Sequence, residues 1–550
     1  MAHRIGILVT AQSKCQSLRL NRIARIGTQV NSNNVNRISR CSSIFSLLGT
    51  AILCLLWPST SSSEPSKPAE IPNIIFILAD DLGYGDLGCY GATKVKTPNV
   101  DRLASQGLRF TDGHSSASTC TPSRYSFFTG EYAFRKLGTG IAGGQDGLLI
   151  EPGRTTVPAL LKRAGYTTGI VGKWHLGLGK KPTDYNGEIN PGPLEIGFDY
   201  AWIIPATADR TPCVWVENHR VVNLDPADPI KLDYRVKRGE PRSFINGIPR
   251  LGEQTGGKAA LWDDENISTV IATKSCEFIE QHKDRPFFLE VSTHNIHVPR
   301  APNPKFLGKS ECGVRGDTIM EFDWTVGQVL DTLDRLKLAD NTLVILTSDN
   351  GGVLDDNGPD TVHGIGSLEA NNGHLYNGVL KGTKGSVYEG GTRLPFITRW
   401  PGHVRSGVSD DLICQVDMLA SFAALTGQAL ASADGPDSLN VLPALLGQKS
   451  EKPCREYLVE QNNDASWVGF RKGPLKLVLP DKGAKAQGKR LKPEVEHPAE
   501  AVAMKDYPSE KMKLFNLTDD LREKKDIAAD HPEIVAEMSD KLDEIMKGGK

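Results

Sequence analysis

Acidic residues are missing from the first 63 positions, although Asp and Glu together number 66 in the 550-residue chain. That stretch carries Arg4, Lys14, Arg19, Arg22, Arg25, Arg37 and Arg40 and runs into an apolar segment at 44–57, IFSLLGTAILCLLW. A membrane span needs roughly 20 apolar residues, so this shorter run fits the hydrophobic region of an export signal behind a basic leader. An uncleaved membrane anchor and an organelle transit peptide are the alternatives. Net charge is also nearly absent: 64 Lys and Arg against 66 Asp and Glu leave -2, which provides no electrostatic case for a nucleic-acid partner. No CxxC pair occurs among the ten cysteines, so the common zinc spacing is excluded. Seven cysteines lie beyond the leader, at positions 89, 120, 213, 276, 312, 414 and 454. Export permits disulfides, but such wide spacings exclude a small stapled framework and give no connectivity. No internal repeat is evident.

What is present suits a soluble globular enzyme-sized chain, 39% hydrophobic and 24% charged. The length predicts one large domain and something smaller. Residues 1–70 read as leader, export signal and the Ser/Pro linker PSTSSSEPSKP; 71–450 read as the large domain and 451–550 as the smaller one.

Four segments of the large domain share one design. NIIFILADD is a continuous apolar run stopped by Asp80 and Asp81, and LVILTSDNGG is another stopped by Asp349 and Asn350. TTGIVGKWHLG ends at Lys173 and His175, and FFLEVSTHNIH ends near His294 and His297. Runs apolar on both faces suit parallel strands buried under helices. Between them TPNVDRLASQG predicts a helix with Thr97 as N-cap, Pro98 first and Gly107 as stop, and residues 316–338 predict another. The pattern predicts an α/β fold, a large mostly parallel sheet sandwiched by helices. Ligands of such sheets sit outside the carboxyl ends of the strands, so all four polar tips should converge on one edge. After 450, REYLVEQ, LKLVL and HPEIVAEMSDKLDEIMK predict a smaller C-terminal α+β domain with antiparallel strands and a terminal helix, interrupted by a Lys-rich loop at 482–492.

One stretch fits no structural purpose. CTPSRYSFFTG puts Cys120 directly before a predicted helix start, with Pro122 to open the helix and Arg124 behind it, after a polar run that offers no apolar pocket. A helix N-terminus there favours an anion. Asp80, Asp81, Asp349 and Asn350 are hard oxygen donors, suited to Ca²⁺ or Mg²⁺ rather than zinc. Either pair alone would pass for a strand-ending turn. Two matching pairs make shared metal binding the better reading.

These motifs resemble a known family. CTPSR followed by TG resembles the first signature of the type I sulfatases, arylsulfatase-like members of the alkaline phosphatase superfamily, and GYTTGIVGKWH resembles the second. ADD, TPNVDRLA, HVPRAP, SDNGG, KGTKGSVYEGGTRLPFI and LFNLTDD extend the resemblance over nearly all of residues 72–530. Phe128 stands where the family usually has Leu, a change that predicts repacking only.

The resemblance implies a sulfuric-ester hydrolase in which a formylglycine-generating enzyme oxidises Cys120 to formylglycine (3-oxoalanine), used as its hydrate. One hydroxyl attacks sulfur, and deprotonating the other later expels sulfate, which avoids a second displacement by water. It also implies one divalent cation, Ca²⁺ with Mg²⁺ as alternative, held by Asp80, Asp81, Asp349, Asn350 and the side chain at 120. Arg124 would steady the hydrate, Lys173 and Lys384 would hold sulfate oxygens, His175 would take the hydrate's proton, and His297 would protonate the leaving alcohol. The family pattern selects His297 over His294 and Lys384 over Lys381.

The expected substrate is an aryl sulfate or a sulfated carbohydrate, including a sulfated polysaccharide. The alternatives are a phosphate or phosphonate ester hydrolase on the same fold, or a silent sulfated-glycan-binding protein. Asn350 stands where phosphate-hydrolysing relatives commonly place a histidine, which favours sulfate. Substrate-selecting residues are expected on loops such as 202–215, 356–374 and the Lys-rich segment.

Overall fold

The apolar segment Asn73–Ala79 lies at the centre of a ten-stranded sheet because every one of its residues is buried. It pairs in parallel with Thr342–Ser348 on one side and Phe287–Ser292 on the other. Thr167–Lys173 and then Tyr200–Ile204 extend the parallel run outward. Register keeps the tips level: Leu78 lies opposite Ser292, Ala79 opposite Ser348, and Gly172 opposite Ser292. The antiparallel strand Phe396–Arg399 borders Thr342–Ser348, and Leu108–Phe110 follows it. The computed structural model describes residues 71–354, 371–482 and 511–548. The leader, the 44–57 segment, most of the 356–374 loop and the Lys-rich stretch beyond Lys482 lie outside the described residues. Among the described residues no helix is long and apolar enough to cross a membrane.

Alternating side chains of each central strand serve two separate cores. Ile74, Phe76 and Leu78 pack with Phe127, Leu160 and Leu419 from helices Cys120–Thr129, Val157–Arg163 and Met418–Thr426. Ile75, Ile77 and Ala79 pack with Leu103, Ile271 and Phe322 from helices Pro98–Gln106, Ile267–Gln281 and Gly313–Arg335. Helices therefore cover both faces, which is the expected α/β sandwich.

Three local expectations need correction. Thr97 does occupy the N-cap of Pro98–Gln106, but its side chain does not cap that helix; its Oγ1 accepts the Gly88 N–H at 2.8 Å. The second helix starts at Gly313 and ends at Arg335, three residues earlier than expected. Just upstream, the Asp317 carboxylate gathers the N–H groups of Gly308, Lys309 and Ser310 into the turn at its start. Cys120 is itself the first residue of its helix, with Thr119 as N-cap, so Pro122 sits inside the first turn instead of opening it.

Phe128 is buried in the core, its ring 5.8 Å from Trp174 and edge-on to Phe198. The seven cysteines of the described residues are free. Toward the C-terminus, Tyr457–Gln461, Val468–Lys472, Leu475–Val478 and Lys513–Asn516 form a four-stranded antiparallel sheet, with the helix Pro532–Met546 beyond it. That sheet reaches the segment before Cys120: the Ser118 N–H donates to Gln461 O, and the Gln461 N–H to Ser116 O.

Candidate active site

The level strand tips place Asp80, Asp81, Asp349, Asn350 and Lys173 on one edge of the sheet, all buried. Strand geometry alone would send Asp80 and Asp81 to opposite faces. Asp81 instead takes the left-handed conformation, φ 61°, and so does His175, φ 59°, two residues after its strand. Non-glycine residues rarely adopt it, and such strain gathers where a side chain must be re-aimed. Gly172 permits the close strand approach beside Lys173; a Cβ there would lie 1.8 Å from Ser292 O.

Cys120, 1% exposed, points its sulfur at Asp80 Oδ1, 3.7 Å away. Lys173 Nζ donates to the same oxygen at 2.6 Å and lies 3.5 Å from Asp349 Oδ2. Arg124 reaches up from the buried helix. Its Nε and Nη2 meet Asp349 Oδ2 at 3.0 and 2.9 Å, and its Nη1 donates to Ser292 Oγ at 2.6 Å. Asn350 Nδ2 donates to Asp81 Oδ1 at 2.8 Å, and Lys384 Nζ to Asp81 Oδ2 at 2.9 Å. Three carboxylates thus face three cations.

Burial sets the protonation of this cluster, and the cations then divide it. Desolvation pushes Asp80 up to about 6 despite Lys173. For Asp349 the same desolvation is outweighed by Lys173, Arg124 and Lys384, which hold its carboxyl well below the usual range. Burial, with Asp349 next, drives the Cys120 thiol far above its ordinary value, so an unmodified thiolate nucleophile is disfavoured here.

The histidines are oriented by carbonyl oxygens, which can only accept. His175 Nε2 therefore donates to Ala142 O at 3.0 Å, leaving Nδ1, which has no partner, as the basic nitrogen. Burial, then Lys173, keeps this ring's pKa well below normal. His297 Nδ1 donates to Val298 O at 2.6 Å, and its Nε2 faces Asp81 Oδ2 at 3.8 Å.

A 220 Å³ pocket opens onto this edge, lined by Cys120, His175, His297 and Lys384. His294 turns away toward Ser268 Oγ, and Lys381 donates to Glu523 O. Of the pocket's other walls, Asp209 and Arg210 lie in the 202–215 loop expected to select substrate, though neither was named singly, while Ile141, Arg238 and Leu251 were not singled out from the sequence. A signal existed, since YAWII is a further apolar strand whose run is followed by charged residues, in PATADR. Asp209 holds Arg210 at 3.2 Å and Arg238 at 3.6 Å. Burial would raise its carboxyl, but Arg210, His297 and Arg238 bring it down to about 2, so it stays ionised.

Residues 72–428 match the sequence family described as Sulfatase. The chain is similar to an N-acetylgalactosamine-6-O-sulfatase of Bacteroides thetaiotaomicron, 46% identical over 88% of this chain and 94% of the relative. It is also similar to human arylsulfatase A, 36% identical over 69% and 68% of the two chains. A solved Bacteroides thetaiotaomicron sulfatase, described with the metabolism of multiple glycosaminoglycans, superposes with a TM-score of 0.80 at 45% identity, covering 86% of this chain and 99% of the other.

Proposed function

Since the chain belongs to the sulfatase family and is a sulfuric-ester hydrolase, we propose that it removes a 6-O-sulfate from an N-acetylgalactosamine unit of a sulfated glycan. Cys120 would first be converted to formylglycine by a formylglycine-generating enzyme. The relative named for that sugar sulfate supports the substrate. The basic leader and the 44–57 segment support export, with catalysis carried by 71–450 and the smaller domain 451–550 beside it. The observation that carries the reading is Cys120 in one small pocket with His175, His297 and Lys384, its sulfur directed at the strand-tip carboxylates.

Donor chemistry fits one hard dication. Asp80 Oδ2 and Asn350 Oδ1 are buried without hydrogen-bond partners, and ligand atoms of Asp80, Asp81, Cys120 and Asp349 all lie within 4.8 Å of one another. Asp80, Asp81, Asp349 and Asn350 would hold Ca²⁺, with Mg²⁺ the alternative. Sulfur is the mismatched donor in that set, and conversion of Cys120 would replace it with oxygen. Bound there, the dication supplies charge neutralisation of nucleophile and sulfate, and the aldehyde hydrate supplies the attacking hydroxyl.

The chain's own groups divide the remaining work. Lys173 and Lys384 place positive charge where sulfate oxygens gather, and Arg124, locked by Asp349 and Ser292, fixes the side chain at 120. His175 accepts a proton at Nδ1. His297, held at Nδ1 by Val298 O, donates one from Nε2 to the departing sugar oxygen. Ionised Asp209 with Arg210 and Arg238 would grip sugar hydroxyls at the pocket mouth.

Sulfate release from N-acetylgalactosamine 6-O-sulfate, its 4-O isomer and an aryl sulfate tests the substrate. Preference for the 4-O isomer overturns the assigned position. Mass spectrometry of the tryptic peptide Phe110–Arg124 from active enzyme should show aldehyde in place of thiol; an intact thiol in all molecules overturns the proposed nucleophile. His297→Ala should cost about 10²–10⁴-fold on the sugar sulfate and much less on an aryl sulfate with an acidic phenol, which needs no proton to leave.

A further inference from the structure

Two cavities meet at the loop that carries Ile141. The reaction pocket, 220 Å³, lies on one side. On the other is a cavity of 640 Å³, whose lining includes Phe134, residues 136–142 and, from the C-terminal sheet, Gln461 and Asn463. Ligand pockets usually measure about 300–1,000 Å³, so the reaction pocket alone is small for a saccharide, while the two together are not.

We propose that the larger cavity is a second sugar subsite, which holds the ring glycosidically linked to the sulfated one. The assignment rests on the carbohydrate reading above and extends it to a second unit of the substrate.

The lining has the chemistry of a sugar-binding surface. Gln461 is buried in the cavity wall; its Nε2 donates to Asn462 O at 3.1 Å, and its Oε1 has no partner. A buried acceptor left unmatched is destabilising, and a hydroxyl of a bound ring would supply the missing donor. Apolar surface for the ring's C–H face comes from Phe134, from Leu137, 97% exposed, and from Ile141, 37% exposed. The two lysines of the lining are already engaged, Lys136 with Glu151 and Lys181 with Asp146. The cavity therefore suits an uncharged or N-acetylated ring better than a second sulfate.

The partition between the cavities is tied at both ends. Ile141 N–H donates to Asn463 Oδ1 at 2.8 Å, which fixes the loop to the C-terminal hairpin. The next residue, Ala142, accepts from His175 in the reaction pocket. A saccharide crossing Ile141 would touch both regions of the molecule at once.

The test compares kcat/KM for N-acetylgalactosamine 6-O-sulfate with that for a disaccharide in which the same ring is linked to a second sugar, both read on one preparation. Losses of folded or matured protein then cancel from the ratio. In the natural sequence the disaccharide should be favoured about tenfold or more, the worth of roughly 1.4 kcal/mol of added contact. Gln461→Met removes the acceptor. Gly140→Tyr fills the cavity from a position where a Cβ would meet Asn463 no closer than 3.4 Å. Both substitutions should bring the ratio close to one. A ratio near one in the natural sequence, or an undiminished ratio in both variants, overturns the subsite. Cleavage of an aryl sulfate but of neither sugar overturns the carbohydrate reading beneath it.

Discussion

Around Cys120, the carboxylates Asp80, Asp81 and Asp349 face Arg124, Lys173 and Lys384; at the C-terminal sheet Asp112, Glu389, Glu460 and Glu523 face Arg393, Arg471 and Lys476. Apart from the partly exposed Asp112 and Lys384 both clusters are buried, and each contains a group of acidic, histidine or cysteine side chains close enough to share an ion. They differ in what is left over. In the second cluster Lys476 meets Glu389 at 2.7 Å and Glu460 at 2.8 Å. Asp112 takes Arg393 at 2.8 Å and Arg471 at 3.1 Å, and His114 bridges Asp112 and Glu460. Burial, reinforced by Glu389 against Lys476, raises Glu523 to about 8, so at neutral pH it keeps its proton and three anions match three cations. The second cluster also has two buried oxygens without a hydrogen bond, Glu460 Oε2 and Glu523 Oε1, but both face the Lys476 ammonium, at 2.8 and 3.9 Å. Around Cys120, by contrast, no ion pair among the described residues reaches Asp80 Oδ2, and the neutral Asn350 Oδ1 is also left over. Carboxylates near a histidine do not make a metal site when side-chain cations already face their oxygens; buried oxygens with no cation opposite them do.

The largest expected effects separate the clusters by function. Cys120→Ala should reduce sulfate release by about 10⁴-fold or more, with little change in melting temperature, because one small side chain at the pocket wall is lost. Lys476→Met should do the reverse. It strips the shared cation from buried carboxylates and should destabilise the fold by about 3–5 kcal/mol in denaturant titrations. A Lys476→Met variant as stable as the natural chain would break the comparison.

Calcium sharpens it next. At 100 times its dissociation constant the ion should add about 2.7 kcal/mol to stability, read as a rise in melting temperature that chelator reverses. Asp349→Ala should abolish that rise, whereas Glu389→Gln should leave it in place. Because a donor must be ionised to bind, the rise should fade as pH falls through about 6, where Asp80 takes up a proton. A calcium response that survives in Asp349→Ala would relocate the ion.

The smallest effect concerns Glu523. Its folded pKa, about 8, exceeds the ordinary carboxylate value of 4.5, so between these pH values the native state holds a proton that the unfolded chain has released. Stability therefore falls as pH rises across that window and levels off above it. Glu523→Gln should flatten that part of the profile of melting temperature against pH, and an unaltered slope would count against the protonated carboxyl.

Much of the architecture was readable because its signals are local. A run such as NIIFILA, apolar on both faces, has few homes other than the middle of a covered sheet, and Asp80 and Asp81 can then lie only at its end. Less was readable where the deciding contact is distant or the backbone departs from its regular form. The left-handed turns at Asp81 and His175 have no glycine to announce them. The helix at Cys120 begins two residues before the proline that seemed to start it. Gln461, some 340 positions from Cys120, reads as an ordinary strand residue, yet its backbone pairs with Ser116 and Ser118.

By itself the sequence determined where the central strands lie along the chain, the polar residues that end them and the chemical character of those residues, since burial of apolar runs and the hardness of oxygen donors are properties of short segments. Only the tertiary structure decided that Asp209, Arg210 and Arg238 wall the pocket, and that a hairpin from the far end of the chain anchors its partition. Those outcomes depend on which side chains meet across long loops, and on which oxygen atoms are left without a partner once every other contact has formed.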